Sequence, residues 1–223
     1  MNFDPIYFLE IFPELLPYVP LTVVMAVLSL VAAIIGGLIL ALILRAKIPV
    51  LYRVAVFYIS FFRAVPTLVQ LFLIYYGLPQ LFPELRAMEA LTAAIIGLSI
   101  KNAAYMAEIF RAALDSVDKG QLEACKTVGM TSAQAYRRII LPQAARNAIP
   151  ATGNTFIGLL KETSLAFTLG LTELFAQGKI LASASYKYLE TYLAVAIMYW
   201  LLTIIYSLIQ RLVEGRLNKP YKS

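Results

Sequence analysis

Apolar residues in this chain gather into five long runs, at roughly 20–44, 64–82, 90–114, 149–171 and 190–212. Each is about as long as the ~20 predominantly apolar residues that a helix needs to cross a bilayer. The pattern therefore predicts about five transmembrane helices. Between the first two runs lies 54–62, apolar and aromatic but flanked by Arg53 and Arg63. A short helix at the membrane interface fits it, because arginines can keep their charge among the headgroups. Pro66 marks the entry to the second span. The longest polar stretch, about 115–147, separates the third and fourth runs.

Composition agrees with that pattern. Of 223 residues, 61% are apolar and 14% charged, with mean hydropathy +0.76. A soluble domain of this length needs more charge to cover its surface. The net charge of +6 comes from basic residues scattered between apolar runs, with no basic patch interleaved with aromatics, so nucleic acid is not an expected partner. With no histidine and one cysteine, Cys125, the chain has no intramolecular disulfide and no histidine-based metal site. The start Met1-Asn2-Phe3-Asp4, followed by Glu10 and Glu14, lacks the positive region of a cleaved signal peptide.

Lysine and arginine follow the first run (Arg45, Lys47, Arg53, Arg63), the third (Lys119, Lys126, Arg137, Arg138, Arg146) and the last (Arg211, Arg216, Lys219, Lys222). The segment after the second run holds Arg86, that after the fourth Lys179 and Lys187, and the N-terminal segment none. This asymmetry places the N-terminus outside and the C-terminus in the cytoplasm, as an odd number of spans requires. Residues 1–223 are expected to form one all-α membrane domain. The sequence has no internal repeat of the kind on which many secondary carriers are built. Five spans are few to enclose a pathway, so a dimer with the route at its interface is expected.

The loop 115–147 reads DSVDKGQLEACKTVGMTSAQAYRRIILPQAARN. Gly120, Gly129 and Pro142 divide it into two short helices. The first, 121–128, puts Leu122, Cys125 and Val128 on one face. Gly129 permits a sharp turn, Thr131 or Ser132 can cap the second helix, and Pro142 is expected to stop it. An ordinary amphipathic connector would have the same outline; the spacing argues for more. Glu123-Ala124, Gly129, Ile139, Leu141 and Pro142 fit the pattern EAA-x3-G-x9-I-x-LP, with Cys125 where a third alanine would stand.

That pattern resembles the signature of ABC importer permeases. The stretches FFRAVPTLVQLFLIYYGLP (61–79), AAYMAEIFRAALDSVDKGQLEA (103–124) and NTFIGLLKETSLAFTLGLTEL (154–174) look like the polar amino-acid branch of that family. The resemblance implies a type I importer permease of the cell (inner) membrane, with residues 121–128 as the coupling helix. It implies docking on a separate ATP-binding subunit through Gly120, Glu123, Ala124, Cys125, Gly129, Leu141 and Pro142. The implied partners are that ATPase, a second identical or homologous permease chain, an extracytoplasmic amino-acid-binding protein and a polar amino acid. No G-x-x-x-x-G-K-[ST] loop is present, so ATP and magnesium are expected on the partner chain, with no cofactor and no catalytic residue on this one.

Charges inside the expected spans are costly, about 2.5–3.5 kcal/mol each on insertion scales. Lys101, Glu108, Lys161 and Glu162 are such residues. Glu108 has Arg111 at i+3 as a candidate structural partner. Lys161-Glu162-Thr163-Ser164 interrupts the fourth run, and Thr163 and Ser164 can bond back to the backbone and break the helix. A break inside the membrane offers backbone groups to a cavity. Glu162 suits a substrate ammonium and Lys101 a carboxylate, with Ser99, Asn102, Tyr105, Thr163, Ser164 and Gln70 as further polar candidates. The plainer alternative is a structural Lys161–Glu162 pair. Gly36-Gly37 suggests close helix packing. Tyr75, Tyr76, Phe82, Tyr186, Tyr188, Tyr192, Tyr199 and Trp200 mostly suggest interface anchors or lipid-facing bulk. A rival reading is an ion-coupled carrier or channel using Lys101, Glu108 and Glu162 as a relay.

Overall fold

The structure, a computed structural model, describes residues 3–218. Eleven α-helices follow one another among these residues, joined by short 3-10 and π turns. They are α1 (Pro5–Leu15), α2 (Val19–Ala46), α3 (Pro49–Ala64), α4 (Thr67–Phe72), α5 (Leu78–Leu81), α6 (Ala90–Asp115), α7 (Lys119–Thr127), α8 (Ser132–Ala135), α9 (Leu141–Glu162), α10 (Leu174–Ser185) and α11 (Tyr188–Asn218). The all-α membrane fold expected from the sequence is the one observed.

Three rods are long and apolar enough to cross a membrane: Pro5–Ala46, Ala90–Asp115 and Tyr188–Leu217. The pair Pro49–Ala64 and Thr67–Leu81 makes a fourth, bent by 112°. The first rod has 42 residues, about twice what a bilayer needs. Asp4 caps α1, accepting from the N–H groups of Ile6 and Tyr7 at 3.1 Å. Lys187 donates to Asp4 at 2.6 Å. That bond holds the Asp4 carboxyl below its usual range and raises Lys187 in turn. The Asp4 N–H donates to Glu190 at 2.9 Å, so the chain's start is tied to the head of α11.

The remaining expected run, 149–171, is realised in two parts. It is helical to Glu162, then tightens into a 3-10 turn over Thr163–Leu169, and Gly170 ends that turn at φ 90°. The Thr163 and Ser164 hydroxyls donate to the Leu160 and Lys161 carbonyls, which is the back-bonding expected to break this helix.

α2 and α6 form the centre of the bundle, and glycine makes their contact possible. A Cβ on Gly37 would sit 2.3 Å from the Met106 Cβ and 3.0 Å from the Ala107 nitrogen; one on Gly36 would meet Ala103 at 3.0 Å. Small residues let these backbones approach. Gly37→Ala should therefore force the helices apart and cost about 1–3 kcal/mol by overpacking. Gly158→Ala, with open space around its Cβ, serves as the control. Thermal unfolding in detergent should show a lower midpoint for the first variant only.

The 112° bend has a local cause. Pro66 has no N–H to give the Phe62 carbonyl, and Val65 is extended at ψ 135°. The Gln70 side chain supplies the missing donor: its amide donates to Phe62 O at 3.0 Å and Val65 O at 2.8 Å.

Pro142 does not stop a helix as expected. It lies in the first turn of α9, directly after a π turn over Tyr136–Ile140. Widening the preceding turn accommodates a ring that cannot donate to the carbonyl four residues back. Residues 132–162 thus form one rod from the loop into the membrane.

Candidate functional site

The loop keeps the two-helix form expected of it. Asp118 caps α7, its carboxylate accepting from the Gly120 N–H at 2.7 Å. Gly120 therefore lies in the first turn of α7 and does not divide the loop. Cys125 is buried and Leu122 half-buried, whereas Glu123, Ala124 and Val128 are exposed. Val128 lies past the end of α7 and projects into solvent, so the expected apolar face stops at Cys125. Gly129 turns the chain at φ 77°. Thr131 then opens α8 with a capping box: its hydroxyl accepts from the Gln134 N–H, and Gln134 accepts from the Thr131 N–H. Val117, Ile140 and Ala144 form a small core under the loop, with Leu114, Tyr136 and Ile139 packed against it, whereas Leu141 is exposed. The result is a braced projection on which Glu123, Ala124 and Val128 are exposed.

Inside the membrane the structure joins Lys101 of α6 to Glu162 at the end of α9 as an ion pair. The expected alternative, Lys161 with Glu162, is not formed. Adjacent residues on a helix point some 100° apart, while Lys101 faces Glu162 across the helix contact. Lys161 instead lines a small cleft with Ser164, Phe175, Tyr192 and Tyr199. Glu162 Oε1 takes the Lys101 bond; its Oε2 is buried without a hydrogen-bond partner. An orphaned buried acceptor costs about 1–3 kcal/mol, more when charged, so it calls for a donor.

The other candidates spread over several environments. Tyr105 lies next to the pair, with Lys101 5.6 Å and Arg63 5.5 Å from its ring centroid. Ser99 and Asn102 donate to Ile95 O and Leu98 O of their own helix. Gln70 spends its amide on the bend, but its Oε1 is a second buried acceptor without a partner. Thr163 is fully buried and Ser164 closes the turn. Glu108 pairs with Arg111 at 2.7 Å, and Arg111 reaches Asp115 at 3.1 Å. Arg63, Glu108 and Arg111 line a cavity of about 870 Å³ with Tyr105, Arg146 and Asn147.

Sequence reasoning missed a buried carboxylate. Glu173 has no exposed surface; it accepts from the N–H groups of Phe175 and Ala176 at 3.0 and 2.9 Å, and from the Tyr199 hydroxyl at 3.0 Å. Thr22 bridges this group to α2, donating to Glu173 at 3.4 Å and accepting from the Leu174 N–H at 3.2 Å. Tyr199 therefore ties α11 to α10 and is not an interface anchor. The available signal was an acidic residue opening a short apolar run.

Apolar spans, a charged pair within them and a projecting helix–turn–helix loop define the membrane subunit of a transporter. The chain belongs to the binding-protein-dependent transport system inner membrane component family, which it matches over residues 33–219. It is 71% identical to the probable amino-acid permease protein YxeN of Bacillus subtilis (strain 168), covering 97% of each chain. It is 50% identical to the probable amino-acid ABC transporter permease protein PatM of Vibrio harveyi, covering 99% of each. Among solved structures, an amino acid ABC transporter with histidines superposes with TM-score 0.88 at 37% identity, over 97% of this chain and 100% of that one. The MetNI methionine ABC transporter shares the fold at TM-score 0.77 and 22% identity, over 93% and 98%.

Proposed function

We propose that the chain forms, as a dimer, the membrane pathway of an importer for polar amino acids driven by a separate ATPase. The observation that carries this reading is the exposed α7 at the Glu123–Pro142 motif, held out from the bundle by the Gly129 turn and the small core beneath it. ATP and magnesium belong to the partner chain that α7 engages. ATP binding there moves α7, and the rigid 132–162 rod carries the motion to the end of α9, where Glu162 lies. An extracytoplasmic binding protein delivers the substrate on the opposite side. The resemblance to amino-acid and L-cystine permeases supports amino acids as cargo. A zwitterion also suits the site: the orphaned Glu162 Oε2 can accept from an ammonium, and Lys101 can donate to a carboxylate.

The ATPase is cytoplasmic, so one experiment tests both partner and orientation. A cysteine replacing Val128, in a Cys125→Ser background, should crosslink to a copurifying ATPase chain in inside-out vesicles. Its labelling by an impermeant maleimide from the extracellular side of intact cells, with no ATPase crosslink, would defeat the reading.

A further inference from the structure

α7 does not lie flat against the bundle. A cleft of about 710 Å³ separates it from the cytoplasmic ends of α2 and α6, lined by Arg45, Leu114, Asp115, Leu122, Glu123 and Lys126 among others. A helix pushed by a partner across such a space could swing into it, spending the stroke on loop motion. One contact spans the cleft's side. Arg45, in the last turn of α2, donates through Nη2 to the Tyr136 hydroxyl, and its guanidinium carbon lies 4.8 Å from the centroid of the same ring. Tyr136 begins the π turn that joins α8 to α9, so the contact falls at the base of the 132–162 rod.

The geometry points to Arg45 and Tyr136 as a brace that makes the coupling loop stiff, so that movement of α7 reaches the α2–α6 pair as well as α9. This rests on the proposed coupling role of the loop. The brace suits its work: arginine is planar, always charged and stacks on aromatic faces while donating a hydrogen bond. It also adds a route independent of chain connectivity. α6 and α9 flank the loop covalently, whereas α2 is distant in sequence and reaches the loop through Arg45. Packing of Gly36 and Gly37 on Ala103, Met106 and Ala107 then makes α2 and α6 move together. Neither residue touches the Lys101–Glu162 pair, so both are positioning residues.

The test uses the whole transporter, purified with its own ATPase and binding protein in proteoliposomes. It measures uptake of a radiolabelled mixture of the common L-amino acids together with ATP hydrolysis. The readout is uptake per ATP hydrolysed. Arg45→Gln and Tyr136→Leu should each lower that ratio by about fivefold, with basal hydrolysis and complex assembly retained. Tyr136→Phe keeps the stacking, loses the hydroxyl and should fall between. Combining Arg45→Gln with Tyr136→Leu should cost no more than either alone, because both remove one contact. A wild-type ratio in both single variants overturns the brace. So does an additive double variant, or a parallel fall of uptake and hydrolysis that leaves the ratio unchanged. Should Arg45→Gln fail to assemble, the Tyr136→Phe and Tyr136→Leu pair still decides. Failure of the coupling loop itself would appear separately, as normal coupling in Gly129→Pro.

Discussion

Gly129→Pro should abolish substrate-stimulated ATP hydrolysis while leaving the chain inserted. Gly129 has φ 77°, a conformation proline cannot adopt because its ring fixes φ near −65°. Its N–H also donates to the Lys126 carbonyl at 3.0 Å, and proline has none to give. Val128, at φ −89° and ψ 14°, would be pushed toward extended backbone by a following proline as well. Together these exceed about 3 kcal/mol, enough to depopulate the turn by more than a hundredfold. The bundle should not feel the change, because no atom lies within 4 Å of a Cβ built at this position. The same openness makes Gly129→Ala informative: it adds backbone strain of about 1–2 kcal/mol and no clash, so coupling should fall only partly. Glu123→Lys probes the exposed acidic group at the cleft beside α7. Glu123 is exposed and makes no ion pair among the described residues, so its charge is free to meet a partner. Reversal should weaken docking without altering the loop. Hydrolysis stimulated to the wild-type level in both Gly129→Pro and Glu123→Lys would remove α7 from the coupling role.

Local features of the fold were legible because they depend on residues close in sequence. Apolar runs announced the long rods, Gly36-Gly37 the close helix contact, and Glu108 with Arg111 the i+3 ion pair. Thr131-Ser132 announced a cap, which Thr131 supplies, and Gly129 the turn. Lys161–Ser164 announced the break in α9. Four failures have physical reasons. α1 and α10 are 11 and 12 residues long, too short for a search based on bilayer thickness. Pro142 was expected to end a helix, but a π turn before it let the helix continue. The partner of Glu162 lies 61 residues away on α6, and helix packing chose it over the adjacent Lys161. Glu173 gathers donors from α2, α10 and α11, an arrangement that no single stretch of sequence encodes.

The Lys101–Glu162 pair yields the most discriminating outcome. Glu162→Gln keeps the side chain's size and removes its charge. It leaves Lys101, whose side chain is only 12% exposed, without its carboxylate. Breaking a buried pair from one side costs about 3–5 kcal/mol, so this variant should lose both thermal stability and uptake. Lys101→Met should do the same from the other side. Neither result alone separates a strut between α6 and α9 from a site that receives substrate. The double change Lys101→Met with Glu162→Gln does. With neither charge left buried, the double variant should recover its unfolding midpoint, since joint replacement of a buried pair is often neutral. Uptake of the labelled amino-acid mixture should nevertheless stay down by about ten- to a hundredfold, because a charge-assisted hydrogen bond to the substrate is worth about 1.5–3 kcal/mol. Lys161→Met is the control: the Lys161 side chain makes no ion pair with either member among the described residues, so it should transport normally. Recovery of both stability and uptake in the double variant would make the pair a strut and move the substrate site elsewhere. Recovery of stability alone would leave Glu162, with its unpartnered buried oxygen, as the group that meets the substrate's ammonium.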